Sequence, residues 1–166
     1  MSAQEELDTF DQKTCEKLDD LIWIKDSVYR AFKTNKFAGL RVFYPTFNTY
    51  KSFIDSSQAG QQSEITKYYM YNQVWNSLRL KHSKMMLKSK KAGIDWNKTI
   101  LDSFVIDTGV SGTVQYAYLN WFVKYNNKRK YHYKALFLCI NNKWYLMDEL
   151  KFIGLVVEKK KKKKKK

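Results

Sequence analysis

The sequence predicts an α+β domain, with three helices in its first half packed on a curled antiparallel sheet of about four strands in its second. Three observations carry this. Up to Lys91, apolar residues recur at helical spacing. After Gly93, β-branched and aromatic residues dominate and turn residues recur. Breakers are scarce throughout, with one proline, Pro45, and six glycines in 166 residues, which suits long regular elements rather than a loop-rich scaffold.

The first helix is predicted over 13–33. Leu18, Leu21, Ile22, Val28, Tyr29 and Phe32 fall on one stripe, while Asp19, Asp20 and Lys25 belong to the other face. Gly39 and Pro45 punctuate the stretch that follows. Thr46 is placed to cap a short second helix, whose Phe47, Tyr50, Phe53 and Ile54 share a face. A polar loop, Asp55 to Gln62, precedes Ser63, the expected cap of a long third helix ending at Gly93. Ile65, Tyr68, Tyr69, Trp75, Leu78, Met85 and Met86 are its predicted buried side. Lys84, Lys88, Lys90 and Lys91 suit the negative end of a helix dipole.

Four strands are expected, at about 99–107, 112–125, 130–140 and 143–153. Thr108-Gly109 would close the first, Asn126-Asn127 the second and Asn141-Asn142 the third. Asn-Asn pairs tolerate positive φ, so the last three strands should form a meander. In the third, Tyr131, Tyr133, Ala135, Phe137 and Cys139 point one way, and His132, Lys134, Leu136, Leu138 and Ile140 the other.

Length fits one domain over 13–158, with a polar lead-in over 1–12. Aromatics reach 16%, far from a disordered composition. The net charge of +15 includes eight consecutive lysines, Lys159 to Lys166, and falls to +7 without them. That run reads as a disordered tail or an appended solubility tag. A homopolymer adds affinity for anions but reads no sequence, so nucleic acid is not the expected partner. Cys15 and Cys139 leave one disulfide open, but the expectation is two buried free thiols. No stretch is long and apolar enough to span a bilayer. Localisation stays open between cytoplasmic and, if a signal peptide preceded Ser2-Ala3-Gln4, secreted or periplasmic.

The order of helix, short helix, long helix and meander resembles the cystatin-like cone, and more narrowly the nuclear-transport-factor-two-like superfamily, including its uncharacterised bacterial members. Ala31-Phe32-Lys33-Thr34-Asn35-Lys36-Phe37-Ala38-Gly39-Leu40 is similar to the family's end of helix one. Asn141-Asn142-Lys143-Trp144-Tyr145-Leu146-Met147-Asp148 is similar to its final hairpin. The resemblance spans about 13–153. It implies a bent sheet around the helices, an apolar pocket between them and a homodimer through the outer sheet face. It does not fix a function.

Isomerase chemistry of this fold needs a carboxylate base, a tyrosine and a protonated acid. Tyr29 could supply the tyrosine and Asp102 or Asp107 the acid, but 33–54 holds no Asp or Glu where the family keeps its base. A dehydratase-like version would need a histidine, His82 or His132. No metal-ligand spacing and no glycine-rich phosphate loop occur, and no cofactor is expected. The expected function is therefore a non-enzymatic domain that binds a small apolar ligand or a protein partner. Its pocket is expected among Tyr29, Phe32, Trp75, Tyr118 and Phe137. An isomerase or dehydratase is the alternative, and an anion or nucleic-acid binder acting through the lysine tail the second.

Overall fold

A computed structural model describes residue 15 and residues 19–157. The lead-in over 1–12, the predicted start of the first helix and the lysine run lie outside the described residues. Helix α1 spans Asp19–Lys33, α2 Phe47–Asp55 and α3 Glu64–Lys91. A seven-residue 3-10 helix, Phe37–Phe43, adds a helical segment that the sequence reading had as a break. Strands β1 Thr99–Ser111, β2 Val114–Tyr125, β3 Arg129–Ile140 and β4 Lys143–Leu155 follow. They form one open antiparallel sheet in the order β1-β2-β3-β4.

The helix ends obey local chemistry. Thr46 and Ser63 accept from the amides of Thr49 and Thr66, each pairing a donor that the first helical turn leaves free. Asn35 (φ 50°) and Gly93 (φ 74°) adopt the left-handed conformation just beyond α1 and α3, which turns the chain out of the helix. The residues just after the 3-10 segment are locked to α3 by hydroxyls. Tyr44 donates to the Tyr71 carbonyl at 2.8 Å, and the Tyr71 hydroxyl donates to the Pro45 carbonyl at 3.0 Å.

Asn126, Asn127, Asn141 and Asn142 all have φ between 50° and 62°, the pair of positive values that a tight hairpin turn requires. The first hairpin differs from expectation. β1 runs through Thr108-Gly109 and turns at Gly112-Thr113, because Gly109 pairs with Tyr116 and the Tyr116 ring lies over the space a Gly109 side chain would fill. An aromatic neighbour thus keeps a glycine within a strand. Register slips occur at Leu101/Ser103 of β1 and at two places between β3 and β4. The larger one sets Met147, Asp148 and Glu149 against Leu136 alone, a bulge that bends the strand.

One sheet face carries the core. Leu119, Trp121 and Val123 of β2 and Tyr133, Ala135 and Phe137 of β3 are wholly buried. Leu21, Val28 and Phe32 of α1 and Leu78 and Met85 of α3 complete it. Periodicity misplaced several side chains. Ile22 is half-exposed, with Ile24 and Ala31 buried instead, and Ile65 is 84% exposed, with Tyr68 and Tyr69 also out. The buried stripe of α3 is Lys67, Tyr71, Leu78, His82, Met85 and Ser89. Two of its three polar members, Lys67 and Ser89, are paired locally. Lys67 donates to the Asp55 carboxylate and, at 2.7 Å, to the Gly60 carbonyl, and the Ser89 and Tyr133 hydroxyls lie 3.0 Å apart.

The cysteines also correct the expectation. Cys15 and Cys139 form a disulfide rather than two free thiols. Sequence spacing gave no sign of it, because the pairing depends on Cys15 meeting the end of β3 in the folded chain. There the Cys15 amide donates to the Gln115 side chain at 2.9 Å.

Candidate functional site

Of the five residues considered for catalysis, Asp107 and His132 are linked through Asn120, and Tyr29, His82 and Asp102 lie apart. The Tyr29 hydroxyl shares a hydrogen bond with the Thr99 hydroxyl at 2.9 Å, and burial raises its pKa. Asp102 sits on the outer sheet face between Lys124 and Lys130 (2.7 Å to the latter). Hydrogen bonds from these two ammonium groups, Lys124 first, hold its carboxyl below the usual range. That is the reverse of the protonated acid an oxyanion site needs. Asp107, also on the outer face, accepts from Asn120 Nδ2 at 2.9 Å. His82 is 3% exposed, packs at 5.5 Å from the Phe37 ring, and its Nε2 has no hydrogen-bond partner. Burial lowers its pKa, so it stands neutral among rings.

Nor are the five expected pocket residues brought together. Phe32 and Phe137 are wholly buried, with Phe32 against Trp121, Tyr133 and Trp96 at 5.7–6.2 Å. Aromatic rings fill the space where a central pocket was expected. Trp75 is partly buried at the 3-10 segment, 4.5 Å from Phe37, with the Arg41 guanidinium 4.4 Å above it. Tyr118 lies on the opposite sheet face from Phe137, under the Lys134 ammonium at 3.5 Å.

On that outer face, residues of the central strands make a connected row. Asn120 is 6% exposed; it donates to Asp107 and accepts from His132 Nε2 at 2.8 Å. Since Asp107 fixes the amide orientation, the histidine carries its proton on Nε2. The imidazole also stacks on Phe122 at 4.6 Å. Burial, and then the Lys134 charge, lower its pKa, while Asp107 opposes them. The arrangement satisfies every polar group it uses and resembles a structural ladder on a sheet surface.

The open space lies elsewhere. A cleft of about 260 Å³ runs between α3 and β4, beside the bulge over 147–149. Its wall is apolar, with Leu136 of β3 and Phe152 of β4 partly exposed over the buried Met85 of α3 and Leu150 of β4, and Asp148 and Glu149 of the bulge also line it. Lys81, Lys84 and Lys88 of α3 and Lys151 of β4 rim it. The spacing explains the rim, since 81, 84 and 88 share one face of a helix and Met85 lies between the last two. The bulge supplies the rest. Met147 turns inward, and Asp148 turns out to accept from Lys81 through its carboxylate (2.6 Å) and its carbonyl. Among the described residues no cluster of three or more His, Cys, Asp or Glu could hold a metal ion, and no helix is long and apolar enough to cross a membrane.

None of the five expected residues lines this cleft. Its sequence signal was present in the lysines around Met85, which dipole complementarity alone seemed to explain. The bulge that turns Asp148 outward left no such signal. Compared with protein-family models, curated proteins and solved structures, the chain matches none.

Proposed function

We propose that this chain is a non-enzymatic binding domain whose ligand occupies the cleft between α3 and β4. The observation that carries the reading is that cleft itself. It is concave and apolar-walled, it sits where a helix meets a sheet edge, and its polar groups gather at one rim, as ligand sites do. Its lysines attract and hold, and the two carboxylates that line it with them, Asp148 and Glu149, are taken up by Lys81 and Lys151. Tyr29, His82 and Asp102 stand in separate environments, and Asp107 reaches His132 only through the Asn120 amide, so the isomerase or dehydratase alternative lacks a site at which Tyr29, an acid and a histidine could act on one substrate.

The cone fold of the nuclear-transport-factor-two-like superfamily fits this reading. Helices followed by a four-strand meander, with bulges in β1 and β4, are what a bent sheet around helices requires. The Cys15–Cys139 disulfide supports a secreted or periplasmic setting over the cytoplasm, since such bonds persist in oxidising compartments.

Binding of 1-anilinonaphthalene-8-sulfonate, an anionic apolar probe, tests the reading. Saturable one-to-one fluorescence enhancement is expected, weakened by Lys84→Gln/Lys88→Gln in a protein that still unfolds cooperatively. Unsaturable enhancement, or enhancement indifferent to both charges, would count against a cleft ligand.

A further inference from the structure

We infer that the α3–β4 cleft takes a free single-chain amphiphile with a carboxylate head and a short alkyl tail. The inference rests on that cleft being the ligand site, and adds the chemistry of the ligand.

Charge gives the head group. Lys81 is engaged by Asp148, and Lys151 faces Glu149 at 3.9 Å. Lys84 and Lys88 are exposed and have no carboxylate partner among the described residues. They stand one turn apart on α3, where like charges repel. An anion between them removes that repulsion and gains charge-assisted hydrogen bonds. Beneath the rim, the partly buried Leu136 and Phe152 give the accessible apolar wall, backed by the buried Met85 and Leu150, and none of the four offers a side-chain hydrogen bond. A sugar or nucleotide would lose its hydration there without replacement. A plain hydrocarbon would leave both lysines unpaired. A molecule with an anionic end and an apolar body matches both halves.

Volume gives the tail. At about 30 Å³ per water-sized group, a cleft of about 260 Å³ accommodates roughly eight methylene-sized groups. The wall is recessed between a helix and a strand, so it admits one inserted chain. A bilayer surface would instead meet the lysine rim and leave the wall empty.

The test is an NMR titration of the full chain with hexanoate, octanoate, decanoate and dodecanoate below their micelle concentrations. It is read at the amides of 84–88 and 148–152, which separates the cleft from the lysine run. Affinity should rise by up to about four-fold per added methylene, the value for a fully buried group, and level off near octanoate to decanoate. Lys84→Gln/Lys88→Gln should weaken octanoate about ten-fold while leaving the unfolding midpoint in place. Octanol binding the cleft as tightly as octanoate would overturn the head group and leave the cleft as ligand site. Phosphatidylglycerol vesicles shifting these amides where monomeric octanoate does not would overturn the inference in favour of a membrane surface. If no chain of any head group shifts these amides, the inference and the cleft reading both fail.

Discussion

Cys15 is bonded to Cys139, near the end of a central strand, across 124 residues of sequence. Cys15 also reaches β2, through its amide on Gln115. A cross-link over so long a loop restricts the unfolded chain far more than the folded one. Reduction, or Cys139→Ser, should therefore cost about 2–5 kcal/mol, measured by urea unfolding with and without reductant. Two titratable thiols in the untreated folded protein would contradict this.

His82 should make the fold acid-sensitive. Burial lowers its pKa in the folded state, so the unfolded chain binds the proton more readily. Its stability contribution is complete above the unfolded value, near 6.5, and is lost as pH falls from there toward the folded value. The thermal midpoint should drop between about pH 7 and pH 5. His82→Leu should flatten that drop and raise stability at neutral pH, because its Nε2 has no partner to lose. An unchanged pH profile in His82→Leu would show that another group titrates.

Asn120 is the link whose loss should matter most on the outer face. Replacing it with Ala strands Asp107 and His132, which both depend on its amide. A cost of about 1–3 kcal/mol is expected, the usual penalty for a half-buried polar group left unpaired. Asn120→Ala combined with His132→Phe and Asp107→Leu should recover part of it. In the intact protein, ¹⁵N shifts of His132 should show the proton on Nε2; the other tautomer would break the assigned ladder.

The asparagine turns offer a gain and a loss. Asn127→Gly and Asn142→Gly should stabilise, since glycine adopts positive φ without steric cost. Asn142→Val should destabilise by about 1–2 kcal/mol, with both read from chemical unfolding. A stabilised Val variant would mean that φ at 142 is not the constraint.

The order of elements was legible because each rests on local chemistry. Thr46 and Ser63 announce helix starts, and Asn-Asn pairs announce two of the three turns. The third turn was misread because Thr108-Gly109 looks like a turn until the Tyr116 ring is seen covering the glycine. On α3, apolar residues lie on every side, so periodicity could not choose Tyr71 over Tyr69 or His82 over Met86; the sheet and the 3-10 segment made that choice. The cleft was illegible for a related reason. Its walls are ordinary core residues, Met85 and Leu150, and it is a bulge in β4, set by pairing with β3, that turns Asp148 outward to the lysines. Residue types alone pointed to an aromatic pocket, but the aromatic rings pack against one another.

The central claim is that the α3–β4 cleft is a binding site, and a shift map with a neutral apolar probe tests it without the help of charge. Hexanol titrated into the full-length protein should move methyl and amide signals of Met85, Leu150 and Phe152 together, saturably. Signals of the outer-face residues Tyr118, Asn120 and His132 should stay still. Shifts confined to the outer sheet face, or spread evenly over the surface, would contradict the account and move the binding reading away from the cleft.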